Sequence, residues 1–95
     1  MSLSYVARAP IILNYTIVAV NTWELITGTG VKGVRKWFLR TRNSTDNAFD
    51  MAFKAAPTTY LTSDGSGFTF DDTALPAVYV RTSTAGTVFE LAYFN

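Results

Sequence analysis

Few residues of this chain are of a type that performs catalysis. It has no cysteine and no histidine, which excludes thiolate nucleophiles and thiolate zinc sites and removes the commonest general base. The remaining candidates are carboxylates: Asp64 in a Ser-Asp-Gly-Ser-Gly segment, and the adjacent Asp71 and Asp72. Glycosidases place two carboxyl groups about 5–10 Å apart across a groove, and calcium loops carry a series of oxygen ligands at fixed spacing. Neither pattern is present, so we interpret these residues as turn formers, with a calcium site as the alternative.

A glycine series, Gly28-Thr29-Gly30-Val31-Lys32-Gly33, has the spacing of the dinucleotide-binding fingerprint. That fingerprint binds phosphate only where a strand precedes it and a helix follows. No helical periodicity follows the series here, so we predict a connection between strands. Neither the glycine series nor the carboxylates have the spacing of a catalytic or metal site. We therefore predict that the chain is not an enzyme and uses no metal or other cofactor.

Basic residues are concentrated in one short segment. Five of the eight Lys and Arg residues fall at positions 32, 35, 36, 40 and 42, although the net charge is only +1. On a strand, Phe38, Arg40 and Arg42 share a face because side chains alternate with period two. Aromatic and Arg residues are enriched in interface cores. We expect either a solvated outer face or a contact with an acidic protein partner; a net charge this small disfavours nucleic acid.

Short runs of β-branched and aromatic residues, separated by Gly, Pro, Asn and Asp, predict an all-β fold. No segment of useful length keeps apolar residues at helical spacing. The pattern is typical of a single antiparallel β-sandwich, either jelly-roll or immunoglobulin-like, with an N-terminal extended arm or strand. With 95 residues and no linker-like tract, we predict one domain over residues 1–95, with residues 1–12 as the arm.

The segment from residue 11 to residue 20 is apolar on both strand faces. Such a strand is central in its sheet or pressed against a second chain, so we predict that it adds to a neighbouring sheet. The apolar segment is too short and too interrupted by polar residues to span a bilayer, and no membrane partner is expected. The predicted partner-binding residues are Tyr5, Ile11, Leu13, Tyr15, Ile17, Phe38, Arg40 and Arg42.

Residues 77–83 and 87–94 flank the turn-like triplet Thr84-Ala85-Gly86, which predicts a C-terminal β-hairpin. With Ala85 and Gly86 as the loop, Val80 lies opposite Leu91 and Arg81 opposite Glu90. This register keeps apolar residues on one face and a charge pair on the other.

Aromatic residues make up 15% of the chain. Many would be core in a sandwich, but exposed coplanar rings would suit a small carbohydrate-binding module, which we keep as an alternative function. The rings that could form such a platform are Tyr15, Trp23, Trp37, Phe38 and Tyr60.

Three segments, WFLRTR (residues 37–42), YLT (60–62) and AVYVRTSTAGTVFEL (77–91), resemble small β-sandwich structural proteins of tailed bacteriophages. The similarity covers roughly residues 22–95 and includes decoration (cement) proteins and related head or tail accessories. It implies a non-enzymatic virion protein that binds the major capsid protein or other virion proteins at repeated sites, often as a homo-oligomer. A head-fibre, neck or tail accessory is the alternative within that group.

Overall fold

The computed structural model describes residues 9–43 and 47–94, which form eight β-strands and no helix. All strand pairs are antiparallel, and the strands form two packed four-stranded sheets. The predicted all-β, sandwich-like architecture is therefore confirmed. The strands are β1 Ile11–Thr16, β2 Glu24–Leu25, β3 Lys36–Thr41, β4 Phe49–Ala52, β5 Leu61–Ser63, β6 Phe68–Asp71, β7 Tyr79–Arg81 and β8 Val88–Phe94.

The order of strands brings the two halves of the chain together. The first sheet has the order β1-β8-β3-β6, and the second has the order β2-β7-β4-β5. Four of the pairs are therefore β1 with β8, β2 with β7, β3 with β6 and β4 with β5. The chain changes sheet at every connection except the one between β4 and β5, so most neighbouring strands are distant in sequence.

The hydrophobic core lies between the inward faces of the two sheets. Trp37 and Leu39 of β3 are fully buried, while Lys36 and Arg40, which flank them, are exposed. This is the alternation predicted for a strand with one core face and one solvent face. The Trp37 ring stacks on Phe70 at 4.4 Å between centroids, and its Nε1 donates a hydrogen bond to the Ala74 carbonyl at 3.1 Å. Among the described residues, the other large apolar side chains that are fully buried are Phe89, Met51, Leu91, Val78 and Val80.

The predicted C-terminal hairpin is wrong. β7 and β8 lie in different sheets, where β7 pairs with β2 and β4 and β8 pairs with β1 and β3. Arg81 is consequently opposite Asp50, and Glu90 is opposite Arg40. The segment between the strands crosses from one sheet to the other, and the Thr82 hydroxyl ties it to the Ala48 carbonyl at 2.9 Å. The alternation of apolar and polar residues along a strand determines which residues face the core. It is the same whether the two strands form a hairpin in one sheet or are joined by a crossover between two sheets.

The N-terminal strand is shorter than predicted, and it lies at the edge of its sheet. β1 ends at Thr16 and has β8 as its neighbour, so it is an edge strand of the first sheet. Ile11 and Ile12, the last residues of the predicted arm, belong to β1. Residues 1–8, including Tyr5, lie outside the described residues.

Replacing Gly67 should be far more damaging than replacing Gly33. Both have positive φ, +90° and +82° respectively, but a Cβ on Gly67 would overlap the Leu39 carbonyl of β3, whereas one on Gly33 has open space. Gly33→Ala should lower the free energy of unfolding by about 1–2 kcal/mol through its backbone conformation alone. Gly67→Ala should cost about 1–3 kcal/mol more through overpacking. Urea unfolding of both variants measures the difference, and equal losses would contradict the close approach of the two chain segments.

Candidate functional site

The outer face of the first sheet carries two cross-strand rows of side chains. Ile12, Ala92 and Phe38 stand side by side across β1, β8 and β3, and the next row consists of Asn14, Glu90 and Arg40. Arg42 follows β3 directly and donates its backbone N–H to the Val88 carbonyl at 2.9 Å. We call this surface the first-sheet face; it comprises Ile12, Asn14, Phe38, Arg40, Arg42, Glu90 and Ala92.

A shallow groove runs along the apolar row. Ala92 is only 4% exposed, and its small side chain leaves a depression between Ile12 and Phe38. The cavity volume is about 180 Å³, below the 300–1,000 Å³ typical of small-molecule sites. Its size and apolar walls therefore suit a side chain of a partner protein better than a free ligand. The lining residues are Pro10, Ile12, Phe38, Arg40, Glu90, Leu91 and Ala92.

The rim of this groove is an ion-pair network centred on Glu90. Arg40 Nε lies 3.0 Å from Oε1 of Glu90, and Arg42 Nε lies 2.9 Å from its Oε2. The hydrogen bond from Arg42 lowers the pKa of Glu90, assisted by Arg40 and opposed by partial burial of the carboxylate. The Arg40 guanidinium also lies 5.6 Å from the centroid of the Phe38 ring. Two arginines on one carboxylate leave local positive charge, and both side chains are about half exposed (55% and 51%).

The predicted partner-binding residues separate into two groups. Phe38, Arg40 and Arg42 come together on the first-sheet face as predicted. Ile17 is 5% exposed within the core, and Leu13 and Tyr15 pack against that core. These three side chains therefore contact the chain's own core.

The remaining two predicted contact residues are Ile11 and Tyr5. Ile11, 41% exposed, lies at the start of the edge strand. Tyr5 is outside the described residues.

A second cluster, on the outer face of the second sheet, was not found from the sequence as a unit. The Arg81 guanidinium lies 4.5 Å from the Trp23 ring centroid and 4.8 Å from that of Tyr60. Its Nη2 and Nε donate to Asp50 Oδ2 at 2.7 and 3.0 Å, and the other Asp50 oxygen accepts from Thr62. This hydrogen bonding to Asp50 raises the pKa of Arg81. The pairing of β7 with β2 and β4, and of β4 with β5, brings these residues together, so no local motif could have signalled them.

The predicted aromatic platform is therefore only partly assembled. Trp23 and Tyr60 meet edge to face at 5.6 Å, and Tyr60 is 49% exposed. Trp37 is fully buried and Tyr15 packs against the core, so neither can present a ring to a ligand. Phe38 lies on the opposite sheet.

Glu24 of β2, in the second sheet, forms hydrogen bonds with β1 of the first sheet and with the segment that follows β1. It accepts a hydrogen bond from the Tyr15 hydroxyl at 2.6 Å and from the N–H groups of Val18 and Ala19 at 3.0 and 2.8 Å. Partial burial acts to raise the pKa of Glu24, but these hydrogen bonds together lower it; the bond to Glu24 in turn raises the pKa of Tyr15. The carboxylate thus holds the bend by which the chain leaves β1.

The carboxylates considered as sequence candidates lie at turns and strand ends. Asp64 accepts hydrogen bonds from the N–H and hydroxyl of Ser66 at 3.0 and 2.7 Å, and these bonds lower its pKa. Asp71 ends β6 and lies 3.5 Å from Lys36 Nζ, while Asp72 follows with φ of 51°. Within residues 9–43 and 47–94, no three His, Cys, Asp or Glu residues group as a metal site would require.

No protein-family model, curated protein or solved structure matches the chain. Over the part that the structure describes, no helix is long and apolar enough to cross a membrane. The features that bear on function are therefore the two outer surfaces and the strand edges.

Glu24→Gln should lower the free energy of unfolding by about 1–2 kcal/mol at pH 7, because an amide cannot accept all the hydrogen bonds of the carboxylate. Because the pKa of Glu24 is lower in the folded state than its ordinary value of 4.5, the ionised carboxylate stabilises the wild-type fold at pH values above 4.5. This contribution is lost as pH falls through the folded-state pKa. The gap between wild type and variant should consequently narrow below pH 4.5.

Urea unfolding at several pH values measures this gap. Asp72→Asn, an isosteric change at an exposed turn, is the matched control and should shift stability by less than about 0.5 kcal/mol. A gap between wild type and Glu24→Gln that stays constant with pH would show that ionised Glu24 does not hold the bend.

Proposed function

We propose that this chain is a non-enzymatic structural protein of a bacteriophage virion, best described as a capsid decoration or cement subunit. The observation that carries the proposal is the first-sheet face, where an apolar groove and two half-exposed arginines lie beside an uncharged edge strand. Aromatic and arginine side chains of this kind anchor protein–protein interfaces. The sequence resemblance to phage β-sandwich proteins supports the virion as its location.

We also propose that the sandwich is a jelly roll. The support is the pairing of β1 with β8, β2 with β7, β3 with β6 and β4 with β5. An antiparallel ribbon made of the two halves of a chain gives this pairing when it wraps into two sheets. Jelly rolls occur in viral capsid and lectin domains. Because one fold hosts many functions, support for a particular function comes from the outer surfaces.

The mechanism we propose is adhesion at repeated sites. An apolar side chain of the major capsid protein, or of another virion protein, would enter the groove between Ile12 and Phe38, and acidic groups beside it would meet Arg40 and Arg42. Burial of apolar surface contributes about 25 cal/mol per Å² before association costs are subtracted. Many identical copies on one particle strengthen such contacts through avidity. The same mechanism would serve a head-fibre, neck or tail accessory.

Phe38→Asp should weaken binding to particles by at least about tenfold, because it places a charge in the apolar groove and beside Glu90. The measurement is cosedimentation of the purified chain with heads of the phage that encodes it, assembled without the chain. Leu61→Asp is the matched control: Leu61 is similarly apolar and 46% exposed, but it lies on β5 of the other sheet. It should bind as wild type does. Failure of the wild-type chain to sediment with any such particle would overturn the proposed function.

A small carbohydrate-binding module is a second candidate, and one observation favours it. Trp23 and Tyr60 lie together on the outer face of the second sheet, with Asp50 and Thr62 beside them as polar partners. Sugar rings commonly stack on exposed aromatics of this kind. In this chain, however, the Arg81 guanidinium already lies 4.5 and 4.8 Å from the two ring centroids, so a sugar would have to use the remaining ring surfaces or displace it.

If the chain binds carbohydrate, Trp23→Ala should abolish binding on a glycan array while Phe38→Ala, on the opposite sheet, should leave it unchanged. Trp37 is unsuitable for this test because it is fully buried, and its truncation should cost about 3–5 kcal/mol of stability. An array on which the wild-type chain binds nothing would remove this candidate.

A further inference from the structure

The edge strand β1 is the longest of the four sheet edges and carries no charge. The edges are β1 and β6 in the first sheet and β2 and β5 in the second, with 6, 4, 2 and 3 residues respectively. Natural proteins usually protect exposed edges with charged residues, bulges or very short strands. β6 ends in Asp71, whereas the sequence of β1 is Ile-Ile-Leu-Asn-Tyr-Thr. Such an edge is suited to pairing with another strand.

The backbone groups that β1 can offer are defined by its register with β8. The Ile17 N–H donates to the Thr87 carbonyl at 2.9 Å, and the same register sets Tyr15 against Phe89. In an antiparallel pair, successive residues direct their N–H and C=O groups to opposite sides of the strand. The odd-numbered residues of β1 therefore bond towards β8. The even-numbered ones, Ile12, Asn14 and Thr16, direct their groups to the outer edge.

The row of outward-facing backbone N–H and C=O groups ends at a defined residue on each side. Pro10 precedes it by two residues and has no N–H to donate. Val18 follows it by two residues, and its N–H is bound to Glu24 at 3.0 Å. Three successive outward-facing residues are thus available for pairing, and Asn14 lies at their centre.

We propose that two copies of this chain pair edge to edge through β1, antiparallel, with a two-fold axis at Asn14. The inference rests on the proposed assembly function and names a second copy as one of its partners. Asn14 would lie opposite Asn14 of the second copy, and Ile12 opposite Thr16 of the second copy. Three N–H and three C=O groups from each copy then form six interchain hydrogen bonds.

This register is favoured over its neighbours by the backbone. A shift by one residue would turn the core face of one copy towards the solvent face of the other. A shift by two in one direction would set Thr16 opposite Pro10, which has no N–H. The same shift in the other direction would set Ile12 opposite Val18, whose N–H is already bound to Glu24. The Asn14-centred register alone pairs every outward group of Ile12, Asn14 and Thr16.

The side chains are compatible with the same arrangement. β1 contains no charged residue, so no like charges meet across the two-fold axis. Val18 is the most exposed large hydrophobic residue in the part of the chain that the structure describes, at 84%, and Ile12 is 64% exposed. In the proposed register, Val18 of one copy approaches Pro10 and Ile12 of the other and covers them. The two first-sheet faces then lie on the same side of one continuous eight-stranded sheet and could bind the particle together.

A contact along six residues is small compared with the 1,200–2,000 Å² of a standard interface. We therefore expect a weak dimer in dilute solution that is strengthened when both copies bind the same particle. A covalent trap is the appropriate test, and the absence of cysteine from the sequence gives it a clean background.

The test is oxidation of Asn14→Cys compared with Ile12→Cys. Facing residues of a hydrogen-bonded antiparallel pair have Cα atoms about 5.5 Å apart, within the range of a disulfide. The two thiols introduced by Asn14→Cys should therefore form a linked dimer, whereas those introduced by Ile12→Cys would be about 13 Å apart along the strands. We expect linkage of Asn14→Cys at least about tenfold faster than that of Ile12→Cys. Equal rates, or faster linkage of Ile12→Cys, would overturn the proposal.

A second measurement uses variants without a thiol. Asn14→Pro removes the N–H that faces the outer edge without removing a hydrogen bond to β8, and Asn14→Thr is the matched control. Light scattering of wild type and Asn14→Thr at rising concentration should show a mass approaching twice that of the monomer, while Asn14→Pro should stay monomeric. A wild-type chain that stays monomeric throughout would overturn the dimer.

The two proposals can fail separately. Phe38→Asp combined with Asn14→Cys should still form the linked dimer, even though it no longer binds particles. Asn14 is part of the first-sheet face but does not line its groove, so Asn14→Pro should still bind particles through the groove, with a several-fold loss of avidity. Particle binding without dimerisation would therefore overturn only the dimer, and dimerisation without particle binding would overturn only the proposed function.

Discussion

Burial of apolar side chains between two sheets is the constraint on which the rest of this structure depends. Trp37, Leu39 and Phe89 from one sheet meet Met51 and Val80 from the other, all at or near zero exposure. Since side chains alternate along a strand, placing these residues inside also places their neighbours outside. Phe38 and Arg40 reach the first-sheet face for this reason, and the same holds for Asp50 and Arg81 on the second sheet.

The two outer faces use arginine in different ways. On the second sheet, Arg81 lies against two aromatic rings and is bound to Asp50, so its interactions are largely made within the chain. On the first-sheet face, Arg40 and Arg42 share one carboxylate and stay about half exposed beside an apolar groove. An interface needs apolar area together with polar groups that can still be satisfied by a partner. The first-sheet face meets that requirement better.

An open sandwich also leaves strand edges, which a closed barrel does not. Three of the edges here are short, at two to four residues, while β1 has six and no charge. Glu24 limits the length of that edge by binding the N–H groups of Val18 and Ala19. The edge and the groove adjoin at Ile12, so one residue belongs to both the backbone surface and the side-chain surface.

The sequence by itself determined the class of fold, the faces of β1 and β3, and the grouping of Phe38, Arg40 and Arg42, because each depends on periodicity within one short segment. Only the tertiary structure decided which strands are neighbours. Residues 77–94 have the pattern of a hairpin, yet β7 and β8 lie in different sheets, and Arg81 therefore meets Asp50 instead of Glu90. That Leu13, Tyr15 and Ile17 pack against the chain's own core was likewise decided by the tertiary structure, since the sequence of an apolar strand face is the same whether its own core or another chain covers it. Strand neighbours are set by the burial of the whole chain at once, which no local pattern records.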